Sequence, residues 1–285
     1  MSERSEPWRG ASATSPVVAA PLFSWRRVYG VVLRHLFLLR GSWPRMAEMF
    51  YWPLFDLIIW GFISQFFMSH SDWVSRATGV LLGAVMLWNV MFRGSLGVAL
   101  SFLEETWSRN LGHLSVSPLR PVELVTAMLV MSLVRTIAGM GPVALLAIPL
   151  YHYSIFSLGL PLLAFFTNLL VTGWAVGLGV SALVLRFGQG AESLVWVLIF
   201  ALAPLCGIYY PLSVLPVWMQ RVAWALPPSH IFEGMRAVMF GKGFPWDQLL
   251  IAASLNLVYI GAAVALFLWV YHLARIRGLF LSMGE

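Results

Sequence analysis

Few residues in this 285-residue chain have the type and spacing for chemistry, and they are scattered. Gly241-Lys242 is the nearest approach to a phosphate-cradling loop. Arg236 stands where the first glycine of such a loop is needed, and Gly243 replaces the hydroxyl residue that would meet a metal ion. His230 and Glu233 lie three apart, one helical turn, but two ligands do not make a metal site. His-Glu-x-x-His and Gly-x-Ser-x-Gly are both absent, and no two aspartates pair within an apolar segment. Cys206 is the single cysteine, so it offers neither a disulfide framework nor a thiolate cluster and reads as core filler. No catalytic residue, metal site or bound cofactor is therefore expected of this chain. What remains is Asp56, Arg93 and Arg135, each inside an apolar stretch. A charge there costs roughly 2.5–3.5 kcal/mol to insert into a bilayer, so the expected chemistry is an interhelical ion pair, such as Asp56 with an arginine, or a polar pathway. For Arg135 an equal alternative is a side chain that snorkels to the headgroups.

The elements that position these charges are set by composition. Hydrophobic residues make up 60% of the chain and charged ones 11%, with a mean hydropathy of +0.81, which excludes a soluble domain. Residues Thr136 to Leu185 hold no Asp, Glu, Lys or Arg. That run is long enough for two spans of about 20 residues each. Pro149 and the cluster Tyr151, His152, Tyr153, Ser154 mark the turn between them. The ten-residue alternation of a β-barrel is missing, so the spans are helices. Six are expected: about Met46 to Met68, Ala77 to Leu103, Pro121 to Leu150, Leu158 to Leu185, Ser193 to Tyr210, and Gln248 to Leu273. Gly173, Gly177 and Gly179 give the fourth a small-residue face for close helix packing.

Residues 1–45 form a separate region, a tail followed by an amphipathic helix. Ser24 is the expected cap. Trp25, Val28, Val32, Leu36 and Leu39 share one face while Arg26, Arg27 and Arg34 lie opposite. This predicts a helix lying on the membrane surface, with its arginines toward the phosphates. A short first span is the rival reading, made costly by five arginines between Arg26 and Arg45. Residues 1–21 lack the apolar core of a signal peptide, so the first span is expected to act as its own insertion signal. The net charge of +6 invites nucleic acid, yet the arginines flank apolar spans. With both termini in the cytoplasm, twelve Lys and Arg lie inside and four outside, as the positive-inside bias requires. No nucleic-acid partner is expected.

Two connecting segments carry the mechanism. Residues 104–117 run Glu104, Glu105, Thr106, Trp107, Ser108, Arg109, Asn110, then Leu111 and Leu114, to Ser117, with Pro118 next. Trp107, Leu111 and Leu114 share one helical face, and the two glutamates suit the N-terminal dipole of a short cytoplasmic helix. Pro121 with Glu123 opens the following span. A rigid helix between two spans can be pushed by a cytosolic partner; an ordinary amphipathic connector is the bland alternative. Residues 210–244 contain Tyr210, Pro211, Leu215, Pro216 and Trp218, then Pro227 and Pro228, with Ser229 expected to cap a helix from His230 toward Phe240. Each half is too short to span. Two half-helices dipping into the outer leaflet would form an outer gate, and a flat interfacial hairpin is the alternative.

Together these segments resemble the ABC-2 family of exporter permeases. The resemblance rests on the acidic start and Leu-x-x-Leu body of residues 104–120, ending Val116, Ser117, Pro118, Leu119, Arg120, Pro121. It rests equally on Tyr210, Pro211, Leu212, Ser213, the spaced Leu215, Pro216 and Trp218, and the downstream Pro227 and Arg236. It departs from the family pattern at Trp107 and Asn110. What it implies is an all-α integral membrane fold: six transmembrane helices (residues 46–285), an N-terminal interfacial helix, a cytoplasmic coupling helix and short re-entrant helices before the last span. It also implies a homodimer or pseudo-dimer of permeases and two ABC ATPase subunits that hold ATP and Mg in place of this chain. Glu104, Glu105, Trp107, Arg109, Leu111, Leu114, Ser117 and Pro118 would then form the ATPase-coupling segment, in a bacterial inner membrane. The family's cargoes are lipid-like, glycan or drug-like amphiphiles. The rival reading is a secondary transporter or channel without an ATPase; an embedded enzyme and a scaffold are further rivals.

Overall fold

Residues 23–70, 74–188, 190 and 193–277 are described by a computed structural model. Among them there are ten α-helices and no strand: α1 (Trp25–Arg40), α2 (Trp43–His70), α3 (Val74–Trp107), α4 (Leu111–Val116), α5 (Pro121–Tyr151), α6 (Leu160–Phe187), α7 (Ser193–Leu205), α8 (Val217–Trp224), α9 (Pro227–Met239) and α10 (Trp246–Ile276). Five of these, α2, α3, α5, α6 and α10, are long and apolar enough to cross a membrane. The all-helical, membrane-spanning character expected from composition is thus observed. The segment expected as the fifth span is shorter than the expectation, because α7 ends at Leu205 instead of Tyr210. Its 13 residues rise about 20 Å, against roughly 30 Å of hydrocarbon. The chain turns at Gly207, whose φ of +63° suits a residue without a side chain. The Tyr210 hydroxyl then donates back to the Pro204 carbonyl at 2.7 Å, closing the turn.

The central helix is α3, packed between α6, α5 and α2. Small residues set its distance from α6. A Cβ on Gly173 would lie 2.5 Å from the Met91 carbonyl oxygen, and one on Gly177 would lie 2.5 Å from that of Ser95. Gly179 has open space around it, so two of the three glycines make the expected face. On the other side of α6, the Asn256 amide of α10 donates to the Asn168 carbonyl and side-chain oxygens (both 3.0 Å) and accepts from the Thr172 hydroxyl (2.7 Å). Buried polar groups on facing helices satisfy one another in this way.

The reversal after α5 comes where it is expected, at His152, in the left-handed region with φ of 50°, although Pro149 itself lies inside the last turn of the helix. The Tyr151 ring covers Gly61 of α2, and its hydroxyl donates to the Ile58 carbonyl at 3.2 Å. In α9, helix formation begins at Pro227, so Ser229 is a buried helical residue and not a cap. Proline suits a first helical position because its missing N–H would have had no partner there.

Candidate functional site

The loop joining α3 to α5 is where the structure departs most from the expected local geometry. α3 continues through Trp107, the chain turns at Ser108 to Asn110 with Arg109 at φ 52°, and α4 covers only Leu111–Val116. Glu104 and Glu105 therefore occupy the last turn of α3. A helix C-terminus disfavours carboxylates, which reverses the dipole reading. Cations on α1, α2 and α5 compensate. Glu104 accepts from Arg135 at 2.8 Å and Arg45 at 3.4 Å, with His35 Nε2 at 3.8 Å. Glu105 accepts from Arg34 at 2.5 and 2.7 Å and from the Asn110 amide at 2.6 Å, with His35 Nε2 at 3.4 Å. Asn110, out of pattern for a docking helix, is thereby accounted for: it ties the turn to Glu105.

A second clamp sits one helix further on. Glu123, in the first turn of α5, accepts four N–H groups: Arg27 Nε (2.8 Å) and Nη2 (2.6 Å), Ser24 N (2.7 Å) and Arg120 N (2.9 Å). The two guanidinium bonds form the bidentate fork that makes Arg–carboxylate pairs directional. The Glu123 hydrogen bond also raises the Arg27 guanidinium above its ordinary value. Ser24 makes no side-chain cap; its backbone N–H goes to Glu123 instead. Val28 and Val32 complete the attachment by packing on Ala127 and Met131 of α5. Arg27 and Arg34 thus pair with protein carboxylates, which the interfacial reading did not foresee, while Trp25 and Leu36 stay exposed. The sequence reading did not pick out His35, although Val28, Val32 and His35 follow the i, i+4, i+7 spacing of a buried stripe.

The candidate coupling residues divide by direction. Glu104, Glu105 and Leu111 point into the protein, while Trp107, Arg109 and Pro118 are exposed and Leu114 and Ser117 half-exposed. His113 and Val116, which the sequence reading passed over, join the outward face. Of the intramembrane charges, Arg135 finds Glu104, and Asp56 accepts from the Asn89 amide (3.1 Å) instead of from an arginine. Arg93 is drawn electrostatically by Asp56 and Glu48, yet its Nε has no hydrogen-bond partner among the described residues.

At the other end of the bundle, α8 and α9 form a proline-broken hairpin over the starts of α3 and α6. Met239 of α9 lies near Gly79 and Gly83, and Gly234 near Phe165. Glu233 organises it by accepting the Leu212 N–H (2.8 Å) and Arg236 Nη2 (2.9 Å), while Arg236 Nη1 reaches the Gly207 carbonyl (2.7 Å). His230 spans the Gln248 side chain (2.7 Å) and the Trp224 carbonyl (2.9 Å). Leu215 is buried with Leu212 and Ala223, Tyr210 and Met219 pack on them, and Trp218 and Val214 face out. His230 and Glu233 thus serve separate hydrogen bonds, and among the described residues no three potential ligands gather to hold a metal.

A braced loop at one end of a helical bundle and a proline-broken hairpin at the other both lie in the region that a family comparison matches: the model of the ABC-2 type transporter runs from residue 33 to 240. The chain belongs to the ABC-2 type transporter family. Comparison with curated proteins finds no match. Members of the family typically pair with an ABC ATPase, and this ABC-2 permease is the transmembrane component of a transporter. The matched residues take in α2 to α9 whole, together with the half of α1 that carries Arg34 and His35, so both ends of the bundle fall within them.

Proposed function

We propose that this ABC-2 permease exports an amphiphilic molecule from the cytoplasm or inner leaflet, driven by ATP hydrolysis in a separate nucleotide-binding subunit that holds the ATP and Mg. One observation carries the reading: the ends of α3 and α5 that flank the loop are tied to each other and to α1 by ion pairs on the buried carboxylates Glu104, Glu105 and Glu123. Force applied to the exposed side of α4 therefore moves three helices together instead of deforming a turn. Interiors this tightly packed transmit strain. Trp107, Arg109, His113, Val116 and Pro118 form the docking face, and Glu104, Glu105 and Leu111 form its mount. In this reading the loop faces the cytoplasm of a bacterial inner membrane, both termini lie inside, and α7 together with the turn after it acts as the sixth crossing. The α8–α9 hairpin is re-entrant and gates the outer side. Two permease copies stand over two ATPases, whose closure around ATP favours the outward-open state through differential affinity.

The test is recovery of the tagged full-length permease from its native membranes, identification of any co-purifying ABC ATPase, and measurement of ATP turnover in vesicles. Val116→Asp alters a side chain that is 85% exposed. It should lower permease-coupled turnover about tenfold, the worth of one well-placed interface contact, with unchanged thermal stability. A permease that transports with no ATPase attached, driven by an ion gradient, would instead establish the secondary-transporter reading.

A further inference from the structure

A recess of about 290 Å³ lies between α6 and α10, away from the α3–α5 loop. Thr172, Ala175, Val176 and Gly179 line it from α6 at i, i+3, i+4 and i+7, one face of that helix. Tyr259, Ala262, Ala263 and Leu266 line it from α10 at the same spacing. Small side chains on both helices hollow it out, and a Cβ added to Gly179 would meet nothing within 4 Å. Leu226 and Pro227, at the start of α9, stop one end. The floor at Ala175, Ala263 and Pro227 is buried, whereas the rim at Ala262 and Leu266 is exposed, so the recess opens sideways off the bundle. Leu257, Val258 and Trp269 of α10 are exposed above and below the rim, on a helix apolar enough to span a membrane. The medium at the opening is hydrocarbon.

The polar groups of the lining are already committed. Thr172 donates to Asn256 Oδ1 at 2.7 Å, and the Tyr259 hydroxyl donates to the Ala225 carbonyl at 3.2 Å. An occupant must therefore be apolar. A helix, about 10–12 Å across, does not enter a recess of this volume, but an extended chain does. Charge at one end narrows the choice further. Gly177 of α6 lies against Ser95 and Val98 of α3, and Phe267 of α10 against Phe102, so both helices finish toward the Glu104 end of α3. Seven residues beyond Gly179 the lining stripe of α6 reaches the exposed Arg186, and α10 finishes with the exposed Arg275 and Arg277. α6 carries no acidic residue, and the single one of α10, Asp247, stands in its first turn at the opposite end. From Arg186 back to Ala175 is about 16 Å of helix, close to the roughly 15 Å of hydrocarbon in one leaflet.

We infer that the recess is a binding site for an anionic phospholipid, with one acyl chain running past Gly179 toward Pro227 and the headgroup at Arg186. Arg275 and Arg277 add to the positive charge that draws it to this end. The lipid is a resident of the fold and not a cargo, and its tail fills the space between α6, α10 and the foot of the hairpin. The site depends on neither export nor an ATPase.

The full-length permease, in phosphatidylcholine vesicles without nucleotide or partner subunit, is photolabelled with a phosphatidylglycerol carrying a diazirine midway along one acyl chain. Label should concentrate on residues 172–179 and 259–266. Gly179→Leu should lower it about tenfold, what burying two fewer methylenes is worth. Ala262→Leu, on the exposed rim, should do the same, which keeps the proposal testable if the first variant misfolds. Arg186→Gln should lower it about fivefold, the worth of one cation beside an anionic headgroup, and Arg186→Lys should retain it. Full labelling of both leucine variants, or label spread evenly over Leu257 and Val258, would overturn the site and leave only ordinary boundary lipid. Equal labelling by a diazirine phosphatidylcholine would overturn the anionic headgroup, and a disulfide between two copies of Ala262→Cys would show that a second permease covers the recess instead.

Discussion

Glu104 shows how much one carboxylate holds together in this molecule. It joins α3 to Arg135 of α5 and Arg45 of α2, and both it and Arg135 are buried. Removing one member of a buried pair leaves an uncompensated charge, at a cost of about 3–5 kcal/mol. Glu104→Ala should therefore lower the unfolding temperature of the purified protein sharply. Replacing Glu104 and Arg135 together with leucine should restore most of it, because the orphaned charge goes as well. A double variant no more stable than the single one would show that the pair is not the source of the loss. The sequence showed that Asp56, Arg93 and Arg135 needed partners but not which ones. Arg135 meets a residue 31 positions away and Asp56 one 33 positions away, and such pairings depend on the rotation of neighbouring helices, which periodicity does not reveal. The misplacement of Glu104 was avoidable: Leu96, Leu100, Leu103 and Trp107 continue one helical stripe through the point where a new helix was expected.

For whole elements, the α3–α6 contact is limited by backbone. Gly173→Val should push α6 off the Met91 carbonyl, an overpacking that costs about 1–3 kcal/mol. Gly179→Ala, in open space, should stay within about 0.5 kcal/mol. Thermal stability in detergent separates the two, and equal loss at both would refute the packing assignment. The hairpin gives a second test. Val214, 69% exposed, is expected on the outer face, so Val214→Cys should react with an impermeant maleimide added outside intact cells; reaction only from the cytoplasmic side would invert the topology. Adding Glu233→Ala, which frees the Leu212 N–H, should speed that labelling by about tenfold, the worth of a hydrogen bond to a charged group. The long helices were legible because apolar length is written directly in the chain. The hairpin's starts were less so, because Pro227 and Ser229 both carry helix-start signals and only packing against Leu205 and Phe165 decides between them.

In the molecule as a whole, α3 joins the two ends, since it carries Glu104 and Glu105 at one end and meets α9 at the other. Movement of α4 should therefore appear at the hairpin as a change in Val214→Cys labelling when ATP is added with the partner ATPase. No ATP-dependent change would argue that the ends move independently. The membrane class was readable from composition, whereas the load path was not, because it is made by side chains that the chain order separates widely. That separation also orders assembly on the ribosome. Arg27 and Ser24 wait 96 and 99 residues for Glu123, which at 5–20 residues per second is roughly 5–20 s of synthesis. Through that interval Val28 and Val32 of α1 lack the Ala127 and Met131 surface of α5 that later covers them, so the first helix made is among the last to gain its packing partner, and synthesis of α5 rather than of α1 sets when that end of the bundle can close.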